Sequence, residues 1–232
     1  FAEEVLAPIN ALGDQQGATI SDGIVSMPEE FVEAYQKFAE AGWASISLPT
    51  EIGGGGMPIV LSGGTLEILS TANLAFGLAP GLSAGAISAI NFHGSQEQKD
   101  KFLPNLVSGK WTGTMNLSEP QSGSDLGTIT TKAEPQDDGT YKISGTKVWI
   151  TFGEHDMTEN IIHLVLAKIP GSPEGTKGIS MFIVPKFIVN DDGTLGDKNN
   201  VSCISIEEKL GIHASPTCVM EYNGSTGYLV GE

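Results

Sequence analysis

The chain has 232 residues, of which 40% are hydrophobic, so it can bury one sizeable core or two modest ones. Its formal net charge is −16, and all twelve of its cations are lysines. Such a surface repels nucleic acid, which binds mainly to Lys and Arg, and it offers no guanidinium group for a bidentate phosphate contact. A phosphorylated cofactor would therefore be held by backbone N–H groups, hydroxyls and a few lysines, or by arginines from a partner segment. A well-solvated surface explains most of the acidic excess.

No apolar run approaches the roughly 20 residues that cross a bilayer, and no signal peptide is visible, so we expect a soluble protein without a membrane span. The sequence begins at Phe1 instead of Met, and we expect a processed or truncated chain. Cys203 and Cys218 belong to no CxxC or Cys/His cluster. Two buried thiols in a reducing compartment are the expectation, with a disulfide or redox pair as the alternative. The four histidines are scattered, which predicts no metal site.

The first half of the sequence has helical periodicity. Residues 27–43 place apolar side chains three and four positions apart, which predicts a helix with Pro28 near its start. Residues 48–58 contain four consecutive glycines and predict a loop, which is not a P-loop because no Lys-Ser/Thr follows at the right distance. Residues 61–72 and 75–92 predict two buried helices rich in small residues, the second interrupted around its glycines and its proline.

A short helix follows and leads into a change of pattern. It begins at Ser95, where Gln98 completes a capping box, and it ends near Gly109. After Trp111 come short runs rich in Thr, Val and Ile, and the Asp-Asp-Gly at 137–139 predicts a hairpin. The predicted strands are residues 112–117, 128–133, 140–144, 148–151, 161–168, 179–184, 201–206, 217–222 and 228–230.

These patterns predict an α+β protein. An N-terminal helical domain, residues 1–111, is followed by a small antiparallel β-barrel domain, residues 112–232. Regularly spaced short strands are typical of a barrel or sandwich and not of a parallel doubly wound sheet. Residues 190–200 predict a surface excursion between strands, and no internal repeat is found.

Residues 115–126 combine a strand end with a loop rich in hydroxyls and glycine. The Ser-Gly-Ser segment offers several backbone N–H donors, and Gly123 leaves room for a ligand against the main chain. Such a loop can cradle a pyrophosphate without arginine. The same residues are also ordinary turn formers, and both interpretations stay open on these residues alone.

A second segment, residues 147–153, carries Trp149 and Thr151. On a strand, residues two apart lie on the same face. An indole and a hydroxyl on one face can pack beside a planar heterocycle and hydrogen-bond one of its ring atoms. The alternative is a tryptophan that fills the core of the barrel.

Taken in order, these motifs resemble the signature of the acyl-CoA dehydrogenase family. The signature segments are Leu-Ser-Glu-Pro at 117–120, Gly-Ser-Asp at 123–125 and Gly-Thr-Lys-Val-Trp-Ile-Thr at 145–151. Flanking segments that are similar to the family lie at residues 42–43, 48–49, 52–58, 93–99, 102–104, 108–109 and 209–217. The resemblance covers nearly the whole chain.

The resemblance implies that a helical domain, a β-domain and a C-terminal helical bundle hold FAD, with an acyl-CoA thioester against the flavin. It implies that a carboxylate removes the α-proton while the β-hydrogen leaves as a hydride to flavin N5, which gives a trans-2-enoyl-CoA. Electrons would pass to an electron-transfer flavoprotein. The full-length protein would be a homodimer or homotetramer in the cytoplasm, or in the mitochondrial matrix of a eukaryote.

The resemblance carries seven flavin-binding positions onto this chain: Met115, Leu117, Ser118, Gly123, Ser124, Trp149 and Thr151. The first three would line the isoalloxazine, with Ser118 hydrogen-bonded to its pyrimidine edge. Gly123 and Ser124 would meet the pyrophosphate, and Ser124 would also bind substrate near the pantetheine arm. Trp149 would flank the flavin and Thr151 would approach N5.

The chain departs from the family pattern at Met115, where an aromatic residue is common, and at residues 121–122, where a smaller pair is common. The family's catalytic Glu lies in the C-terminal bundle, or in a few branches on another of its helices. No catalytic base is therefore assigned within this chain, and one is expected beyond Glu232; Glu119 and Asp125 are assigned to the loop. We expect the isolated chain to retain FAD weakly or not at all.

Residues 186–200 and the Glu-Glu-Lys-Leu-Gly-Ile-His at 207–213 resemble a branch that includes dehydrogenases of methylthiopropanoyl-CoA and of some longer acyl-CoAs. Two alternatives stay open. One is an acyl-CoA oxidase, in which O₂ reoxidises the flavin. The other is a flavin-binding member of the family without dehydrogenase activity.

Overall fold

The computed structural model describes residues 1–231, and Glu232, the last residue of the predicted β-domain, lies outside the described residues. The helices are α1 (Ala7–Gln16), α2 (Glu29–Glu40), α3 (Ile59–Ala72), α4 (Leu74–His93) and α5 (Gln96–Val107). The strands are β1 (Thr19–Ser21), β2 (Ile24–Ser26), β3 (Trp111–Asn116), β4 (Lys132–Pro135), β5 (Tyr141–Thr151), β6 (Asn160–Lys168), β7 (Ile179–Pro185), β8 (Phe187–Val189), β9 (Leu195–Lys198), β10 (Val201–Ile206) and β11 (Thr217–Leu229).

Helix α4 is continuous through Pro80, so the interruption predicted from its glycines and proline is wrong. Its small residues serve close packing against β3 instead. Ser83 Oγ accepts the Gly113 N–H at 3.1 Å, and a Cβ on Gly113 would collide with Ala86. Packing on the sheet, and not helix propensity, therefore keeps α4 intact.

Helix α5 begins with the predicted capping box, which is confirmed. Ser95 Oγ accepts the Gln98 N–H at 3.2 Å, and Gln98 Oε1 accepts the Ser95 N–H at 3.1 Å. The Gln98 amide also donates to the carbonyl of Leu229 at 2.7 Å, which ties the helix start to the end of β11.

Strands β3 to β7, β10 and β11 form one seven-stranded sheet. Strand β11 pairs with β10, β5 and β7, and β6 pairs with β3, β4 and β7, so the pairings β11–β5–β4–β6–β7 return to β11. The purely antiparallel arrangement expected from the sequence is wrong, because β6 runs parallel to β3 and to β4. The long connection between β3 and β6, which contains the β4–β5 hairpin, provides the crossover that parallel pairing requires.

Several strand bounds differ from the prediction. Strand β4 starts late because Leu126–Thr128 forms a 3₁₀ turn capped by Asp125. The predicted pairs of short strands at 140–151 and at 217–230 are single strands, β5 and β11. Strand β11 takes up Gly224 in a bulge, whereas β5 pairs regularly through Gly145 and has its bulge at Val148 and Trp149. The expected surface excursion contains the β8–β9 hairpin, and the small β1–β2 hairpin has no counterpart in the prediction.

By length and composition, α4 is apolar enough to cross a membrane, contrary to the expectation that no segment reaches this length. In the described fold it packs against α3, α5 and β3, and 44% of its most apolar stretch is buried. A core helix of a folded domain has the same composition.

Two apolar cores join the helices to the sheet. Ile90 of α4 and Leu106 of α5 belong to the same buried cluster as Ile162 and Leu164 of β6. Phe152, directly after β5, is buried with the aromatic side chains of α2 and α4. The chain directly after β5 is therefore held against the helices.

Two buried histidines lie near the loop that follows β5. His155 Nε2 lies 2.8 Å from Thr112 Oγ1, and its Nδ1 accepts a backbone N–H. His163 lies between the carbonyl oxygens of Gly153 and Val184, at 2.8 and 3.0 Å. Burial lowers the pKa of His155 to about 3 and that of His163 to about 4, although both carbonyls favour the protonated form of His163. His155 is therefore neutral at neutral pH.

We expect the free energy of unfolding to fall as the pH drops below about 6.5. The folded-state pKa of His155 lies below its unfolded value, so its contribution is complete above about pH 6.5 and is lost progressively towards pH 3. The slope from this one group is about 1.4 kcal/mol per pH unit. Urea unfolding should show His155→Gln to be less stable at neutral pH but flatter in its pH dependence by that slope. Parallel curves for the two proteins between neutral pH and about pH 5 would contradict the assignment.

Candidate functional site

The loop that leaves β3 is closed by a tight turn. Glu119 and Ser122 exchange two backbone hydrogen bonds, of 2.7 and 2.9 Å, and the buried Ser122 hydroxyl donates to a backbone carbonyl at 2.6 Å. The turn formers of the sequence thus do form a turn. It leaves Gly123 and Ser124 exposed at its tip.

The buried side chain of Glu119 anchors this loop. It is 1% exposed. Its carboxylate accepts hydrogen bonds from Gln121 Nε2, from the N–H and hydroxyl of both Thr130 and Thr131, and from Lys147 Nζ. Burial alone would raise the pKa of Glu119, but the bonds from Thr131, Thr130 and Lys147 outweigh it and lower the pKa to about 2. A carboxylate with so many fixed donors is a weak base. The geometry therefore gives Glu119 a structural role.

Lys147 of β5 joins the two signature segments. Its ammonium is fully buried, lies 2.9 Å from Glu119 Oε1 and donates to the carbonyl of Leu117 at 3.0 Å. The next residue, Val148, donates its N–H to the carbonyl of Ser118, also at 3.0 Å. The loop after β3 is thus fastened to β5 by one side chain and one main-chain bond.

Trp149 lies at a bulge in β5, where Val148 and Trp149 together oppose Val219 of β11. Its φ is 60°, and this left-handed conformation costs a bulky residue about 1–2 kcal/mol. The indole is 57% exposed, so the alternative of a tryptophan that fills the core is wrong. Ile150 is buried and Thr151 is partly exposed. Strain without internal packing is typical of a position that serves a ligand.

Gly123 lies against both Trp149 and Ser118. A Cβ built on Gly123 would lie 3.8 Å from Trp149 Cζ3 and 3.7 Å from Ser118 Oγ. These are ordinary van der Waals distances, so the chain itself does not require glycine here. One residue from each of the three signature segments therefore borders a single exposed patch, which we call the indole patch (Ser118, Gly123 and Trp149).

The indole patch is rich in unused backbone donors. Within residues 1–231, the N–H groups of Ser118, Gly123 and Ser124 donate to no protein acceptor. In a chain without arginine, such groups are the available donors for a phosphate or a ring carbonyl. The patch thus fits a ligand that has both a flat ring system and anionic or carbonyl oxygens.

The other predicted positions lie beside the patch in less exposed surroundings. Met115 of β3 packs against the core between the helices and the sheet, and Leu117 is partly buried. The carbonyl of Thr151 accepts the Thr114 hydroxyl at 2.7 Å, which fixes the end of β5 on β3.

Sequence reasoning missed Lys147, Thr130 and Thr131 as the groups that shape the site. A lysine directly before the apolar run Val-Trp-Ile at 148–150 was the available signal, because a charge that becomes buried requires a partner. The paired threonines lie too far from the loop along the chain to be connected with it by a motif.

Family comparisons bear on both halves of the chain. The acyl-CoA dehydrogenase N-terminal domain matches residues 1–110, and the acyl-CoA dehydrogenase middle domain matches residues 114–225. Together they account for almost every residue.

Individual relatives agree. A 3-methylmercaptopropionyl-CoA dehydrogenase of Ruegeria pomeroyi is 51% identical over 100% of this chain and 40% of its own length. A butyryl-CoA dehydrogenase of Syntrophomonas wolfei is 42% identical over 99% of this chain and 38% of its own length. The structure of an acyl-CoA dehydrogenase of Bacillus anthracis complexed with FAD matches with a TM-score of 0.77 and 29% identity, over 99% of this chain and 35% of that one. The chain thus spans about two fifths of these relatives, and it belongs to the acyl-CoA dehydrogenase family, with the N-terminal helical and middle β-domains of that family.

Proposed function

We propose that the indole patch binds FAD. The observation that carries the proposal is the exposed, strained Trp149 over Gly123, beside three backbone N–H groups that find no acceptor among residues 1–231. The bound FAD in the related Bacillus anthracis structure supports it.

The ring system would lie against Trp149, with Met115 and Leu117 at its border. The Ser118 N–H and hydroxyl would donate to the pyrimidine edge, and the Thr151 hydroxyl would approach N5. When bound, the flavin supplies the hydride acceptor, and the chain supplies position and donors.

The pyrophosphate would meet the exposed N–H groups of Gly123 and Ser124. Ser124 would also lie near the pantetheine arm of a CoA substrate. Backbone donors explain how a chain without arginine can contribute to a phosphate site.

The reaction that we propose for the whole protein is α,β-dehydrogenation of an acyl-CoA thioester to a trans-2-enoyl-CoA. We infer a short acyl group, because the two relatives above are named for the 3-methylmercaptopropionyl and butyryl thioesters. The deeply hydrogen-bonded Glu119 is unsuited to abstract the α-proton, so the base would lie beyond the described residues. An electron-transfer flavoprotein would take the electrons.

Further parts of the proposal concern organisation. We infer that the ring of strand pairings is a small barrel and that the domain limit lies between residues 111 and 112. The full-length protein would be a homodimer or homotetramer in the cytoplasm, or in the mitochondrial matrix of a eukaryote.

Anaerobic mixing of the full-length enzyme with butyryl-CoA or 3-methylmercaptopropionyl-CoA tests the activity. We expect loss of the flavin absorbance and formation of the enoyl thioester, and no turnover by the isolated chain. Rapid peroxide formation in air would favour the oxidase. Bound FAD that no acyl-CoA bleaches would favour a member of the family without dehydrogenase activity.

Trp149→Gly should weaken FAD binding with little change in the stability of the fold. Glycine relieves about 1–2 kcal/mol of backbone strain at its own entropic cost, so we expect the free energy of unfolding to change by less than about 1 kcal/mol. Loss of the aromatic contact should weaken FAD binding by about tenfold, measured by flavin fluorescence titration. Phe92→Ala, which removes a 77% exposed aromatic side chain from α4, is the control and should bind FAD normally. An unchanged FAD affinity in Trp149→Gly would show that the indole does not contact the flavin.

Gly123→Ala tests the approach of a ligand to the main chain. The chain tolerates a Cβ there at 3.7 Å or more, so we expect wild-type stability. A pyrophosphate packed on the backbone would clash with the new methyl group, and FAD affinity should fall by about tenfold or more. Gly211→Ala, whose Cβ would meet nothing within 4 Å, is the matched control. Equal FAD affinities in the two variants would contradict this placement.

A further inference from the structure

The buried ammonium of Lys147 fixes the direction of one peptide group in the indole patch. It donates to the carbonyl of Leu117 at 3.0 Å, and its side chain is 0% exposed, so this carbonyl points into the protein. The Leu117–Ser118 peptide is trans, and the C=O and N–H of a planar trans peptide point in opposite directions. The Ser118 N–H therefore points away from Lys147, and among residues 1–231 it finds no acceptor.

Glu119 does not need Lys147 for its own hydrogen bonding. Its two carboxylate oxygens already accept two N–H groups, two threonine hydroxyls and the Gln121 amide. Burial of an ion pair is costly, and a well-packed apolar pair can often replace one without loss of stability. The feature that distinguishes this ammonium is its second contact, the one with the Leu117 carbonyl.

A cation that binds a carbonyl oxygen polarises the whole amide. Hydrogen bonds to charged donors are stronger than neutral ones, and hydrogen bonds in series strengthen one another. In a buried setting the effect is larger than in water, because little solvent screens the charge. The Ser118 N–H is therefore both oriented and made a better donor by a group on the opposite side of its peptide.

We propose that Lys147, held in place by Glu119, is a positioning residue that aims the Ser118 N–H out of the protein and strengthens it as a donor to an oxygen or nitrogen on the edge of the bound flavin. This inference rests on the proposed FAD site. The chain contributes the donor, and the buried ammonium adds positive potential behind it. Such a donor binds a ring edge more tightly when that edge gains negative charge on reduction.

The test compares Lys147→Met, Glu119→Gln and the double variant in the full-length enzyme. Each single change leaves one buried group without its charged partner and should destabilise the fold, whereas the double change removes both charges and should recover much of that loss. The effects of these variants on FAD affinity and on the flavin midpoint potential should follow a different order from their effects on stability. We expect Glu119→Gln to lose FAD affinity through the loop that Glu119 anchors, but to keep a midpoint potential closer to wild type than Lys147→Met does, because the contact between Lys147 and the Leu117 carbonyl survives.

Lys147→Met and the double variant should bind FAD about tenfold more weakly and have a lower midpoint potential. If the loss is tenfold greater for reduced than for oxidised flavin, the potential falls by about 30 mV for two electrons. Lys147→Gln, which keeps a neutral donor for the Leu117 carbonyl, serves if the methionine variants do not fold. It should keep most of the affinity and still lower the potential.

A folded double variant with wild-type affinity and potential would overturn the inference and leave the proposed FAD site intact. Equal shifts in potential for Glu119→Gln and Lys147→Met would also overturn it, because the pair would then act only through stability. A full-length wild-type enzyme that binds no FAD would overturn the proposed function and this inference together.

Discussion

The carboxylate of Glu119 is the point at which separate stretches of the β-domain meet. It receives the backbone and hydroxyls of Thr130 and Thr131, and the ammonium of Lys147 from β5. The position of Thr131 beside this carboxylate also requires glycine at residue 145, because a Cβ there would collide with Thr131. The loop that leaves β3 has few apolar contacts of its own, so its shape depends on this one satisfied charge.

Two residues near the end of β5 have the same backbone strain and opposite surroundings. Trp149 and Phe152 both have positive φ, at 60° and 51°. Phe152 is 2% exposed, and its burial among the aromatic side chains of the helices offsets its strain. Trp149 gains no such packing within the chain. The core around Phe152 thus fixes the end of the strand, while the indole of Trp149, three residues earlier, faces outward.

How far the sequence predicts this structure depends on the range of the interactions involved. The capping box at Ser95 is local, and it can be read from two residues only three positions apart, Ser95 and Gln98. Strand β10 is predicted to the residue, because its flanking turns are marked by polar residues. The sequence is misleading where distant packing decides: α4 continues through Pro80 because β3 lies against it, and β6 runs parallel to β3. In the site, Trp149 and Gly123 are visible as motif residues, whereas the partnership of Glu119 with threonines eleven and twelve positions away is not.

Strand β11 has a consequence for the order in which the chain becomes structured. It pairs with β10, β5 and β7, and among the strands of residues 1–231 it is the last to be synthesised. At roughly 5–20 residues per second, the earlier strands wait on the order of ten seconds for it. During that time β5 and β7 present unpaired edges, which are templates for association with other chains. Synthesis of the β-domain therefore includes an interval in which these two edges are open to association with other chains.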